Sequence, residues 1–133
     1  MTVNLRYVNI TVTDVEASIP FYRDGLGLEE RKNVEYGGDR WLTLGSPDQP
    51  ILEIVLSGTH AGRSQGDGDA IQELLTKGML PNIIFRVDDL NATFDRVVAA
   101  GGEVVQEPMD QDWGPRDAAF RDPSGNMIRI EEG

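Results

Sequence analysis

Few side chains in this sequence could form a catalytic or metal centre on their own. His60 is the single histidine, and there is no cysteine. One histidine cannot supply the histidine sets of common zinc sites, nor a credible catalytic triad from a glycine-rich stretch. Asp67 and Asp69 have the spacing that opens a calcium-binding loop. Such a loop needs glycine at its sixth position and glutamate at its twelfth, where this chain has Gln72 and Gly78. We therefore expect an exposed His60 and no calcium site.

Composition excludes several other classes of function. The chain has 133 residues and a net charge of −11, from 23 acidic and 12 basic residues. Acidic surface argues against nucleic-acid binding and is compatible with a cationic ligand, although it also simply favours solubility. No glycine-rich phosphate-binding motif is present. No apolar run reaches the roughly 20 residues of a membrane helix, and the N-terminus does not look like a signal peptide. We predict one cytoplasmic domain without nucleic-acid or membrane partners.

The elements that would position any site occur twice. A shift of 75 residues superposes a strand, a helix and a glycine stop on a second copy of the same pattern. The matched pairs are Val12 and Val87, Asp14 and Asp89, Ala17 and Ala92, and Gly27 and Gly102. Self-similarity at a fixed spacing indicates a repeated supersecondary unit. Module one is predicted at 1–56, a linker with a short helix at 57–81, and module two at 82–133.

Local signals set the expected boundaries of these elements. Thr13 and Asp88 are predicted to cap the two long helices, and Asp69 a short helix in the linker. Pro20 lies inside the first helix, where it removes a backbone hydrogen bond, so we expect a bend or a looser turn there. Each helix is followed by three strands, which gives the order βαβββ twice.

Strand alternation predicts which side chains share a face. Apolar residues alternate along four strands and should lie beneath the helices. They occupy positions 8, 10, 52, 54, 83, 85, 128 and 130. The opposite face should carry Tyr7, Asn9, Glu53, Asn82 and Arg129.

This order, together with the stretches VTDVEASIPFYRDGLGL and WGPRDAAFRDPSGNMIRI, resembles the vicinal oxygen chelate superfamily. That superfamily includes glyoxalases, extradiol dioxygenases and bleomycin-resistance proteins. The resemblance covers nearly the whole chain. It implies an α+β fold in which two tandem βαβββ modules form a curved, cup-shaped mixed sheet with the helices outside. It also implies a homodimer.

The same resemblance places four metal-ligand positions at Tyr7, Glu53, Asn82 and Arg129. Only Glu53 is a usual ligand, and the guanidinium of Arg129 cannot lose its proton and would repel a divalent ion. We therefore predict no metal and no cofactor. A shift of 76 makes Glu53 and Arg129 equivalent, which suggests an ion pair between the two half-cups in place of the metal.

Aromatic residues complete the expected ligand site. Trp41 lies in a strand and is as compatible with the core as with a pocket wall. Trp113 precedes Gly114-Pro115-Arg116, a segment similar to one that borders the ligand groove in bleomycin-resistance members. Trp113 and Arg116 are thus predicted at the rim, with a hinge or packing role as the alternative.

The resulting prediction is a metal-independent, dimeric protein that binds or sequesters an antibiotic-like, cationic or aromatic small molecule in its cup. Whether it is also an enzyme stays open. One alternative is a metal-dependent lyase of the glyoxalase type or a ring-cleaving dioxygenase, with metal held through Glu53 and Asn82. Another is a scaffold whose cup is filled by its own side chains.

Overall fold

Strands and helices follow one another in two similar halves. The computed structural model describes the backbone of residues 1–133 and every side chain except those of Tyr36 and Asp39. Over that range the first module contains β1 (Tyr7–Val12), α1 (Val15–Pro20), β2 (Glu29–Tyr36), β3 (Asp39–Gly45) and β4 (Glu53–Gly58). The linker contains α2 (Gln65–Thr76). The second module contains β5 (Ile83–Val87), α3 (Leu90–Ala99), β6 (Glu103–Asp110), β7 (Arg116–Arg121) and β8 (Met127–Glu132).

The strands pair into two four-stranded mixed sheets. Sheet one has the order β1-β4-β3-β2 and sheet two the order β5-β8-β7-β6. In each sheet the first strand runs parallel to the last strand of its module, and the other neighbours are antiparallel. The predicted α+β class and the repeated βαβββ order are confirmed. None of the helices in the described chain is both long and apolar enough to cross a membrane.

The helix caps lie one residue later than the sequence suggested. Asp14 caps α1 by accepting from the backbone N–H of Ala17 at 3.1 Å, and Asp89 caps α3 in the same way. Both caps have extended backbone, as an N-cap requires. Thr13 instead turns its hydroxyl and backbone N–H to Ser124 of module two. In the linker, Ser64 rather than Asp69 caps α2, which is therefore longer than expected.

The expected loosening around Pro20 is confirmed. α1 ends at Pro20, and a π-helical turn continues from Phe21 to Gly25. Because proline lacks an N–H, the wider turn keeps the chain coiled without that donor. The turn buries Phe21 and Tyr22. Gly25 lies where an added Cβ would come within 3.2 Å of the Val97 backbone, so the absence of a side chain lets α3 pack closely.

The helix-facing sides of both sheets belong to one hydrophobic core. It combines Ile10, Ile54 and Leu56 of sheet one with Phe120, Ile128 and Ile130 of sheet two around the helices. Val8, Ile83 and Phe85 pack on its margin. The predicted alternation is confirmed for these positions. Leu52 is half-buried outside the core. It lines a groove of about 710 Å³ that residues of β1 and β5 also line.

This common core fixes the direction of the two remaining sheet faces. Successive side chains of a strand point to opposite sides, so the residues that alternate with the core must point away from it. The first helix packs against β4 of sheet one, α3 packs against sheet two, and the helical segments meet in the same core. The polar faces of the two sheets therefore look away from one another within one chain. The helices pack on the side of each sheet opposite its polar face. One chain alone therefore does not bring its two half-cups face to face.

Candidate functional site

The polar side of sheet one, here the module-one face, gathers side chains from all four strands. Strand pairing sets Tyr7 beside Glu53 on the parallel pair, and Thr43 beside Val55 on the antiparallel pair. Lys32 stands opposite Thr43, and Val34 opposite Trp41. Their core-facing neighbours, Leu42 and Leu44, are fully buried. The face therefore places one carboxylate, one lysine and two large aromatic rings side by side.

Glu53 lies at the buried bottom of the module-one face. It is 4% exposed and accepts a 2.6 Å hydrogen bond from the hydroxyl of Thr43. Its second oxygen lies 2.7 Å from the guanidinium of Arg6 and 3.7 Å from the ammonium of Lys32. The Thr43 hydroxyl, with further contributions from Arg6 and Lys32, lowers the pKa of this carboxyl against the opposing effect of burial. Glu53 is thus held as a carboxylate by partners of its own module.

Tyr7 lies above Glu53 on the solvent side and is 38% exposed. Lys32 donates to its hydroxyl at 2.8 Å, a contact that raises the pKa of the lysine. The guanidinium of Arg6 lies 4.3 Å from the centre of the Tyr7 ring. Trp41 meets Tyr7 edge-on, with ring centres 5.7 Å apart. Trp41 is therefore a wall of this face rather than a core residue. Asn9 lies further along β1, where its side chain accepts from Ser57.

The polar side of sheet two, the module-two face, is built around Asp117. This residue is 2% exposed and accepts from the amides of Gln106 and Gln111, both at 2.8 Å. The guanidinium of Arg129 donates to Asp117 at 3.1 Å and to Gln106 at 2.9 Å. Burial alone would raise the pKa of Asp117, but Gln111, Gln106 and Arg129 outweigh it and lower the pKa. Asp117 is a further charged group that the sequence did not single out.

The expected Glu53–Arg129 ion pair is wrong within one chain. Glu53 pairs with Arg6 and Lys32, whereas Arg129 pairs with Asp117. The two faces look away from one another, so each charge is satisfied inside its own module. A buried carboxylate gains most from the nearest available cation.

The predicted alignment of the final strands of the two modules, which made Glu53 and Arg129 equivalent, is also wrong by two residues. Val8 stands opposite Ile54 in sheet one, and Ile83 stands opposite Ile128 in sheet two. With the shift of 75 for the first strands, the final strands match with a shift of 74 rather than 76. Arg129 consequently stands opposite Ile84. Alternation could not detect this, because a two-residue shift leaves every side chain on the same face.

The remaining predicted residues lie at the margins. Asn82 is exposed just before β5. Trp113 is 73% exposed in the turn between β6 and β7. Arg116 departs from its predicted place at the rim of the polar face. It alternates with Asp117, shares the helix side with Ala118, and donates to Asn91 of α3 at 3.1 Å.

The four family positions do not fit a divalent ion in this chain. Both oxygens of Glu53 are engaged, by a hydroxyl and by two cations. Arg129 carries a fixed positive charge, and Tyr7 already accepts from Lys32. Among the described side chains, no group of three or more histidine, aspartate or glutamate residues is arranged to hold a metal. The donor chemistry at the centre of the module-one face suits an anion better than a cation.

Comparison with known proteins agrees with this architecture. The model of the Glyoxalase/Bleomycin resistance protein/Dioxygenase superfamily matches residues 4–130. A protein of Vibrio cholerae described as "Probable lactoylglutathione lyase" is 31% identical, covering 91% of this chain and 84% of that protein. The crystal structure of UcmS2 is 32% identical, covers 98% of both chains and superposes with a TM-score of 0.86. TnmS3, an antibiotic binding protein from a Streptomyces species, is 24% identical, covers 98% of this chain and 96% of its own, and has a TM-score of 0.73.

The family model spans nearly the whole chain, and the two βαβββ modules have the corresponding fold. The chain belongs to the Glyoxalase/Bleomycin resistance protein/Dioxygenase superfamily.

Proposed function

We propose that this chain is a metal-independent, cytoplasmic small-molecule-binding protein that acts as a homodimer and holds a planar aromatic ligand. The observation that carries the proposal is the composition of the module-one face. Where metalloenzymes of the family hold their ion, this face has a carboxylate neutralised by Arg6 and Lys32, flanked by the Tyr7–Trp41 ring pair. Such a surface can stack and orient an aromatic molecule, but it leaves no free ligand set for a metal.

The direction of the faces supports the proposed homodimer. Each face leaves apolar side chains exposed: Val34 beside Trp41, and Ile84 and Met109 beside Arg129 and Asp117. A two-fold axis that sets one chain's module-one face against its partner's module-two face would close two identical cups. We expect such an interface to bury well over about 1,000 Å² in total. TnmS3, which shares the fold, is an antibiotic binding protein, and this agrees with a small-molecule ligand.

Titration with the neutral probe 2-naphthamide should quench tryptophan fluorescence to saturation. Trp41 and Trp113 are the two tryptophans of the chain. Because Trp41 forms the wall beside Tyr7, Trp41→Phe should remove most of the quenching, and Trp113→Phe should remove only the contribution of the rim. Tyr7→Ala should weaken binding about tenfold, as expected when an aromatic contact worth about 1–1.5 kcal/mol is lost. An absence of saturable binding would refute the proposed function.

A metal-dependent enzyme is the second candidate, favoured by the similarity to a probable lactoylglutathione lyase. It would require a divalent ion held by Glu53 and Asn82 with water or substrate as further ligands. We expect far less than one transition metal per purified chain, since a metal would have to displace Arg6 and Lys32 from Glu53.

Elemental analysis and thermal shift with Zn²⁺, Ni²⁺ and Mn²⁺ measure this directly. Glu131→Gln serves as the control, because Glu131 is a carboxylate outside the four family positions. About one metal per chain, lost in Glu53→Gln but kept in Glu131→Gln, would establish the enzyme candidate instead.

A further inference from the structure

We infer that the ligand carries an anionic group and that Arg6 and Lys32 bind this group beside the Tyr7 ring. This inference rests on the proposed binding function and names the chemical class of its ligand. A planar aromatic carboxylate, phenolate or sulfonate has the required chemistry. It reverses the expectation of a cationic ligand that the overall acidity of the chain suggested.

The first argument is local charge. The module-one face sets two cations, Arg6 and Lys32, against the single carboxylate of Glu53. Two of the three acidic residues of β2 do not add to that face: Glu30 stands opposite the core residue Leu44, and Glu35 opposite Arg40, which pairs with Glu16 of α1. The third, Glu29, stands opposite Gly45 at the end of the strand pair, away from Lys32 and Thr43. The three charged groups at the centre of this face, Arg6, Lys32 and Glu53, therefore sum to a net charge of about +1 in a chain whose net charge is −11.

The second argument is exposure. The side chains of Arg6 and Lys32 are 46% and 40% exposed, whereas that of Glu53 is 5% exposed. The carboxylate lies beneath the two cations, so a molecule that approaches from solvent meets positive charge first. Lys32 also lies 3.7 Å from Glu53, beyond an ordinary hydrogen bond, and its short contact is with the hydroxyl of Tyr7. Among the described side chains, no further hydrogen-bond acceptor meets its remaining donors, which can therefore contact an anion.

The third argument is the position of the rings. The guanidinium of Arg6 and the ammonium of Lys32 lie 4.3 Å and 5.2 Å from the centre of the Tyr7 ring. Trp41 packs edge-on against the same ring. A ligand that contacts Tyr7 and Trp41 therefore has both cations next to its own ring. An acidic substituent attached directly to an aromatic system would reach them, whereas an ammonium group there would be repelled.

Three probes of one shape test the inference: 2-naphthoate, 2-naphthamide and 2-naphthylmethylammonium. Measured by calorimetry at low salt, 2-naphthoate should bind about tenfold more tightly than the amide, and the ammonium probe least tightly. The preference for the anion should shrink as salt screens the two cations.

Variants then assign the preference to the two cations. Lys32→Gln leaves the Arg6–Glu53 pair in place, so the fold should be kept while the affinity for 2-naphthoate falls several-fold and that for the amide stays within about twofold. Lys77→Gln removes an exposed lysine that pairs with Glu73 on α2 and should change neither affinity.

The outcomes separate this inference from the proposed function. Equal affinity for all three probes, or tightest binding of the ammonium probe, would overturn the anionic subsite and leave aromatic binding standing. Equal weakening of all three probes by Lys32→Gln would also overturn it, because the lysine would then be structural. Failure of every probe to bind would overturn both.

Discussion

Replacement of Asp122 by alanine should destabilise the folded chain by about 3–5 kcal/mol. Asp122 is buried in the turn before β8, with only 4% of its surface exposed. One carboxylate oxygen accepts from the backbone N–H groups of Ser124, Gly125 and Asn126. The other accepts from the Tyr22 hydroxyl at 2.5 Å and from the Asn126 amide at 2.8 Å. The substitution would leave the Tyr22 hydroxyl and the backbone N–H groups of Ser124 and Asn126 without this acceptor, so urea unfolding should show the loss.

The effect should be large because this turn joins the two modules. The Asn126 amide also donates to the backbone of Thr11 in β1, and Ser124 meets Thr13 at the start of the first helix. On its other side, an added Cβ at Gly125 would come within 2.6 Å of the Leu75 carbonyl in α2. The turn thus touches β1, the first helix and the linker helix at once. Its loss should loosen the whole arrangement of modules.

Tyr22→Phe is the matched control, since it removes one hydroxyl and keeps the ring. We expect a smaller loss of about 1.5–3 kcal/mol, the range for a hydrogen bond to a charged group. Burial, reinforced by the charge of Asp122, raises the pKa of Tyr22 well above its ordinary value of 10.0. Above that pH the unfolded chain loses this proton while the folded chain keeps it, so wild-type stability should fall as pH rises. The Tyr22→Phe variant should lack this part of the decline.

Equal stability of Asp122→Ala and wild type would contradict the role of this turn in joining the two modules.

Much of the fold could be predicted because its signals are local. Alternation of apolar residues assigned Ile10, Ile54 and Ile130 to the core, and the repeat gave the order of elements. The strand register was not determined in this way, because apolar alternation fixes the face of a strand but not its position along the neighbour. The helix caps were predicted one residue too early, because a contact between residues distant in sequence selects the cap. Thr13 and Asp14 are both good caps in sequence, and contact between Thr13 and Ser124 decides between them.

The charged groups of the site were harder to predict because their partners are distant in sequence. Glu53 was found through the family resemblance, but Arg6 and Lys32 meet it through pairing between β1, β4, β3 and β2. A bulge between Glu30 and Lys32 shifts the register of β2, so that Lys32 stands opposite Thr43. Sequence spacing does not reveal such a shift.

A mixture of two inactive variants should recover about a quarter of the wild-type binding sites if each cup contains one face from each chain. The first variant, Tyr7→Ala with Trp41→Ala, removes the rings of the module-one face. The second, Arg129→Met, removes the guanidinium of the module-two face, while Gln106 and Gln111 still donate to Asp117. Each variant alone should bind 2-naphthamide poorly, because both of its cups contain one damaged face.

Recovery follows from how the chains combine. After co-refolding of equal amounts, about half of the chains should be in mixed dimers. Each mixed dimer has one cup with two intact faces and one with two damaged faces, so about one site in four regains binding. Calorimetric stoichiometry measures this number, and light scattering checks the dimeric mass. A site formed by the module-one face of one chain alone would instead leave Arg129→Met binding like wild type, and the mixture would then show only the average of the two variants, with no gain on mixing. A monomeric mass at micromolar concentration would likewise contradict the shared cup, and co-refolding each variant with itself controls for changes caused by refolding alone.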